Sequence, residues 1–419
     1  MAHLALKGGK PLYKGPWPTW PIASEPEKNI LSRVIDSNKW SYNGDMEKTF
    51  NKEWSDFTGA NYSFLVSNGT VALQLALEAL GIGFGDEVIV PGLTWQADAE
   101  VVINVNAVPI LVDIEEDSWC IDPKKVENAL TPRTKAIIAV HLFGTICDIE
   151  KLKRIANSKG LFLIEDCSHQ HGSVFKDRHV GTFGDIGTFS LQNTKVLTCG
   201  EGGIIVTNNS ETAVKLDALR NCGRKPESIS SDKNEGYSNE GDLIQSGNYR
   251  ITEFQAAILL EQFKRFTEQV RIRDRNAAYL NRELTLIEGI KPMLRRTGTT
   301  VQSYYQFAFR YDRKYFRNVS AALFRKALAS EIAFEFDSPY KPLNDWGLYR
   351  PLTKKRHYLN KEYMKLIDPS RFRLPVCSKV YYESGITAHH SLLLGTKEQC
   401  SLVIEAVKKI KKNSNELLE

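Results

Sequence analysis

Asp166 and Lys195 are the two side chains whose pairing in this sequence has an evident chemical use. An apolar run, Leu161 to Ile164, closes on the acidic pair Glu165 and Asp166. Four apolar residues ending in acid at a loop predict a buried parallel strand that delivers a carboxylate to its carboxyl end, where open α/β sheets place their ligands. Further on, a second short apolar pair ends on Ser190, and Lys195 follows in a polar loop running into Gly200, Gly202 and Gly203. A lone loop lysine is ordinarily a solvated cation. Its amine becomes a nucleophile where burial or a cationic neighbour lowers its pKa. A strand-end Asp with a downstream loop Lys suggests pyridoxal phosphate (PLP), whose aldehyde bonds a lysine amine while an acid keeps its pyridine nitrogen protonated.

The elements that must carry these groups follow from the periodicity. Short apolar strands are expected at Tyr62 to Val66, Glu87 to Pro91, Val108 to Asp113, Ala136 to His141 and Gly203 to Thr207, with amphipathic helical stretches between most of them. Such alternation predicts a mostly parallel sheet covered on both faces. At the end of the first strand, Ser67, Asn68, Gly69 and Thr70 open a helix. Taken alone this turn is an ordinary cap, but a strand, a small polar turn and a helix N-terminus also aim free N–H groups and a positive dipole end at one point, which suits a phosphate. Trp95 opens the next helix, where an indole ordinarily fills core. His141 reads as structural.

In order and spacing these residues resemble the DegT/StrS family of aminotransferases, which aminate keto-sugars and cyclitols. The family's order is a strand-end Asp, a His-Gly, a G-x-x-G-D-x-x-x-F-S segment, the cofactor lysine and a GEGG-like turn. Here it is met by Asp166, His171 and Gly172, then Gly181, Gly184, Asp185, Phe189 and Ser190, then Lys195, then Gly200, Glu201, Gly202 and Gly203. The resemblance implies an α/β, aspartate-aminotransferase-like fold (PLP fold type I), with PLP bound to Lys195, its ring nitrogen on Asp166 and its phosphate at Asn68, Gly69 and Thr70. It also implies that Trp95 stacks on the ring, that Ser190 and Gln192 bind the cofactor, and that His169 takes the place of a Gln that contacts the phenolic oxygen. A neutral imidazole N–H can make the same bond. Asn248 and Arg250 resemble the family's N-x-R/K segment, in which the Asn reaches the phosphate in the neighbouring subunit of a homodimer, although Ser246 stands where the family usually has Gly. Tyr42, His389 and His390 are substrate candidates. If the last two share a strand, at most one of them faces the site.

The implied activity is transfer of an amino group from Glu or Gln to a keto-sugar or keto-cyclitol, a hexose ketone or one like scyllo-inosose, in the biosynthesis of an aminosugar, an aminocyclitol or a surface glycan. Alternatives are a sugar dehydratase or an aminohydroxybenzoate-synthase-like enzyme using the same cofactor, or a non-catalytic regulator on the same fold. Lys195 argues against the dehydratase, which carries His there.

Composition bounds this reading. A chain of 419 residues exceeds one usual core. It divides into an arm over residues 1–24, a large domain over 25–275 and a small α+β domain over 276–419. The net charge of +5 is concentrated near Lys408 to Lys412 without interleaved aromatics, so no nucleic-acid partner is expected. Seven scattered cysteines predict neither a disulfide framework nor a metal site. No export signal or membrane-length apolar run is evident, so a cytoplasmic protein is expected. The polar stretch Gly223 to Gly247 reads as a functional or subunit-contact loop.

Overall fold

Apolar runs bounded by turn residues become strands here, and the stretches with apolar positions three and four apart become helices, each burying the side its period makes apolar. The computed structural model describes residues 3–42, 44–224 and 244–418, so most of the polar stretch expected as a contact loop lies outside the described residues. In chain order the first half contains α1 (Glu25–Ser37), α2 (Asp45–Thr58), β1 (Tyr62–Val66), α3 (Gly69–Ala79), β2 (Glu87–Pro91), α4 (Ala97–Asn104) and β3 (Val108–Val112). Then come α5 (Pro123–Ala129), β4 (Thr134–Val140), α6 (Ile149–Lys159), β5 (Phe162–Asp166), the two-residue strands β6 (Val174–Phe175) and β7 (Arg178–His179), β8 (Ile186–Ser190), β9 (Gly203–Thr207) and α7 (Ser210–Arg220). The expected strands are all present, with ends shifted by a residue or two.

The main sheet has seven strands in the order β1-β9-β8-β5-β4-β2-β3. Only β9 opposes its neighbours, and the rest share one direction. Both β2 and β9 are buried at every position. Successive strand residues face opposite sides, so the sheet is covered on both faces, as a parallel sheet requires. Register sets the site. Val140 lies beside Asp166, Asp166 beside Thr188, and Ser190 beside Gly203, which in turn pairs with Val66. The carboxyl ends of β1, β5 and β8 therefore meet at one edge.

Beyond α8 (Glu253–Thr285) the chain forms β10 (Ile290–Pro292), β11 (Thr299–Val301), β12 (Gln306–Tyr311), α9 (Ala321–Ile332), α10 (Lys361–Leu366), α11 (Pro375–Lys379), β13 (Gly385–His389) and α12 (Lys397–Lys412). Strands β10, β12 and β13 make a second, antiparallel sheet, against which α9 and α12 bury an apolar cluster containing Phe309, Phe324, Ile386 and Val403. The larger cluster around the main sheet extends to Val270 and also takes in Leu343, Tyr349, Ile367, Leu374 and Val380. Thus α8, 33 residues and about 50 Å long at 1.5 Å per residue, serves both clusters. The amino-terminal arm lies on the second: Leu4 is buried in it, and Trp17 Nε1–H donates to Ile332 O at 2.8 Å. Among the described residues no helix is long and apolar enough to cross a membrane.

Candidate active site

A cavity of about 660 Å³ opens where the strand ends meet, within the roughly 300–1,000 Å³ range of small-molecule sites. Of the residues singled out from sequence, Asn68, Gly69, Thr70, Trp95, Asp166, His169, Ser190, Gln192 and Lys195 all line it. Each is placed by local chemistry. Asn68 caps α3 by accepting Val71 N–H on its side chain at 2.9 Å, which leaves the N–H groups of Gly69 and Thr70 without intrahelical acceptors at the cavity wall. That close approach depends on Gly203, because a Cβ there would stand 2.5 Å from Asn68 O.

Lys195 is 9% exposed. Burial pulls its amine down to about 8, although the Asp166 charge pulls the other way. Its Nζ stands 4.1 Å from the centre of the Tyr305 ring, a cation–π contact that holds the amine in the cavity. Behind the lysine loop, Trp20 Nε1–H donates to Lys195 O at 3.1 Å, and His390 Nε2 lies 3.0 Å from Thr194 O. Asp166 sits at the end of β5 and accepts Ser168 N–H at 2.9 Å.

His169 lies between Phe143 and Tyr305, with ring centres 5.5 and 4.1 Å away. Its Nδ1 accepts Phe143 N–H at 3.1 Å, which assigns the remaining proton to Nε2, 3.4 Å from Tyr340 Oη. Burial, then the Lys195 charge, holds its pKa well below the usual histidine value. His171 is supporting: its Nε2–H donates to Ser190 O at 2.8 Å, and burial lowers its pKa to about 3. Glu165, beside Asp166, accepts N–H groups from Gly181 and Gly184 and lies 3.0 Å from His141 Nε2. Burial raises its pKa, but these donors outweigh it and the carboxylate stays below its ordinary value. Glu165 thereby ties the glycine segment to the strand that presents Asp166.

Other candidates lie elsewhere. Tyr42 accepts Asn221 Nδ2–H at 3.3 Å and has the Arg250 guanidinium 5.0 Å from its ring; Asn248 accepts Arg250 N–H and forms a bridge with Asn221. None of these lines the cavity. The two histidines do not share a strand as expected, because β13 ends at His389 and His390 opens a 3-10 turn. His389 faces a separate hollow with Lys14, Trp17 and Asp337, and His390 is fully buried behind the lysine loop.

Sequence reading missed Asp98, Thr94, Tyr305 and Tyr340, which also line the cavity. Asp98 had a signal. It stands among Ala97, Ala99, Val101 and Val102 on a helix whose other residues there are buried, and a carboxyl in such company needs a partner. Tyr305 and Tyr340 come from the chain beyond α8 and carried none.

An anion-binding helix start, a buried amine of lowered pKa and a strand-end carboxylate in one cavity fit a phosphate-bearing aromatic aldehyde with a basic ring nitrogen. The structure resembles 3-amino-5-hydroxybenzoic acid synthase, with 28% identity, a TM-score of 0.79 and coverage of 96% of this chain and 100% of the other. It also resembles an aminotransferase from Psychrobacter cryohalolentis, with 29% identity, a TM-score of 0.80 and the same coverage. Fold and cavity together define a fold type I aminotransferase. Residues 21–378 match the DegT/DnrJ/EryC1/StrS aminotransferase family, and the chain belongs to that family. Among curated relatives, L-glutamine:2-deoxy-scyllo-inosose aminotransferase of Streptoalloteichus tenebrarius is 39% identical over 422 residues, covering 99% of both chains. L-glutamine:scyllo-inosose aminotransferase of Streptomyces griseus is 36% identical over 422 residues at the same coverage.

Proposed function

We propose that this chain binds PLP and moves the amino group of L-glutamine to the ketone of a scyllo-inosose-type cyclitol on the way to an aminocyclitol natural product. The observation that carries the reading is that Lys195, Asp166 and the α3 N-terminus share one cavity, in a chain alike from end to end to enzymes named for that transfer.

PLP, when bound, supplies a ring that draws off negative charge developing at the donor's α-carbon. Gly69 and Thr70 hold the phosphate through backbone N–H groups, with the Ser190 hydroxyl and Gln192 beside them. Asp166 keeps the ring nitrogen cationic by its charge. Trp95 covers the ring, and His169 gives a neutral N–H to the phenolic oxygen. Lys195 Nζ takes the proton from the donor's α-carbon and later delivers one to the former ketone carbon of the acceptor. At pH 8 about half of this amine is neutral, where an ordinary lysine is almost wholly protonated. Because Asn248 and Tyr42 stand apart from their own chain's cavity, they are read as serving the site of a second copy in a homodimer. The two apolar clusters support a large and a small domain joined inside α8, with the segment holding Leu343, Tyr349, Ile367, Leu374 and Val380 packed on the large one and the amino-terminal arm on the small one.

The test is a two-stage turnover. Protein loaded with PLP is treated with glutamine or glutamate, freed of excess donor, and offered 2-deoxy-scyllo-inosose, scyllo-inosose or a nucleotide-linked keto-hexose. The expected product is the cyclitol amine, with glutamine the better donor, detected by mass. Amination of the nucleotide-linked sugar alone would contradict the substrate assignment.

A further inference from the structure

The cavity contains a carboxyl group to which the amino transfer described above gives no part. Asp98 sits in the first turn of α4, is fully buried, and stands within hydrogen-bonding reach of the Asp166 carboxyl. Thr94 Oγ1–H donates to its Oδ2 at 2.6 Å, while Oδ1 has no partner among the described residues. Two facing buried carboxyls do not both stay charged; one proton between them removes the repulsion and satisfies the orphan oxygen. The two are not equivalent. Asp166 accepts a backbone N–H and is 6% exposed, whereas Asp98 is at 0% and accepts one hydroxyl. The proton therefore belongs on Asp98. Burial first, then the charge of Asp166, raises the Asp98 carboxyl well above the usual carboxylate range, against smaller pulls from the Thr94 hydrogen bond and from Lys195. The titratable groups that face it are Asp166 at the end of β5, Lys195 in the loop after β8, and Tyr340 beyond α9, which burial keeps protonated.

We propose that Asp98 is a positioning residue: a neutral acid that donates a hydrogen bond to Asp166, fixing the rotamer and the single negative charge of the carboxylate assigned to the cofactor's ring nitrogen. This rests on the PLP reading above. One cationic ring nitrogen is then met by one charge, where an ionised Asp98 would present two.

The test uses full-length wild type, Asp98→Asn and Asp98→Ala, each loaded with PLP. Two quantities are read: the cofactor dissociation constant, and the pH midpoint of the bound cofactor's visible absorbance. Asn is neutral and still a donor, so Asp98→Asn keeps the midpoint and holds the dissociation constant within about twofold of wild type. Asp98→Ala leaves the charge of Asp166 unshared, which raises the midpoint by about one unit and weakens cofactor binding about tenfold. The proposal is overturned if Asp98→Ala matches wild type in both readouts, or if Asp98→Asn is as impaired as Asp98→Ala. It is equally overturned if Asp98→Asn drops the midpoint by about one unit, which would mark Asp98 as charged in wild type. Should Asp98→Ala fail to fold, the Asp98→Asn midpoint decides. Wild type that takes up no PLP would sink this inference together with the proposed function; wild type that does, with an unchanged Asp98→Ala, would sink this inference alone.

Discussion

The Lys195 amine has a lowered pKa because the chain buries it without fully compensating its charge. The Asp166 charge recovers only part of what burial removes, so the amine titrates near 8. Capture of PLP by the cofactor-free protein should therefore accelerate about tenfold per pH unit below 8 and level off above it, because the neutral amine is the nucleophile. A stopped-flow absorbance series over pH checks this; a flat profile between pH 6 and pH 8 would remove the buried amine from the reaction. His169 makes the opposite case. Its pKa lies well below that of an ordinary histidine, which leaves it a neutral imidazole with its one N–H at Nε2. His169→Gln keeps an N–H donor and should leave the pH profile of kcat/KM unchanged between pH 6 and pH 8, with the rate within about tenfold of wild type. An acidic limb that moves in this variant would show that the imidazole titrates during turnover.

Strand ends and helix starts convert those side chains into a site. The β9 residue Gly203 lies against Asn68 and the start of α3, so Gly203→Ala drives a methyl group into backbone. That overpacking should cost about 1–3 kcal/mol, and displacing the α3 N–H groups should weaken PLP binding. Denaturation with and without cofactor tests both, and a variant with unaltered affinity would contradict the phosphate assignment. The seven strands of the main sheet were legible because each apolar run is short and bounded by turn residues, and Asp166, Ser190 and Lys195 were legible because each closes or follows such a run. Asp98 was legible only as a carboxyl in apolar company; its partner comes from the spatial meeting of α4 with the end of β5, which local sequence does not encode. The histidine pair was misplaced because a strand pattern over Gly385–His389 gives no sign that the backbone turns at His390.

Across the whole molecule, the amino-terminal arm and the chain beyond α8 converge on the lysine loop. Trp20 and His390 hold that loop from opposite ends of the chain, and Tyr305 braces the amine from beyond α8. If Asn248 serves a second copy, inactive Lys195→Ala and Asn248→Ala proteins should complement when co-expressed. Half of randomly formed dimers are mixed and each has one complete site, so about a quarter of wild-type activity should return. No recovery would place Asn248 outside the neighbouring site. The central claim, that one amine in this chain bonds the cofactor aldehyde, is tested most directly by treating the PLP-loaded protein with borohydride and mapping the modified peptide by mass. The account predicts a pyridoxyl group on Lys195 and on no other lysine. A label on a different residue, or none in protein that has bound the cofactor, would contradict it.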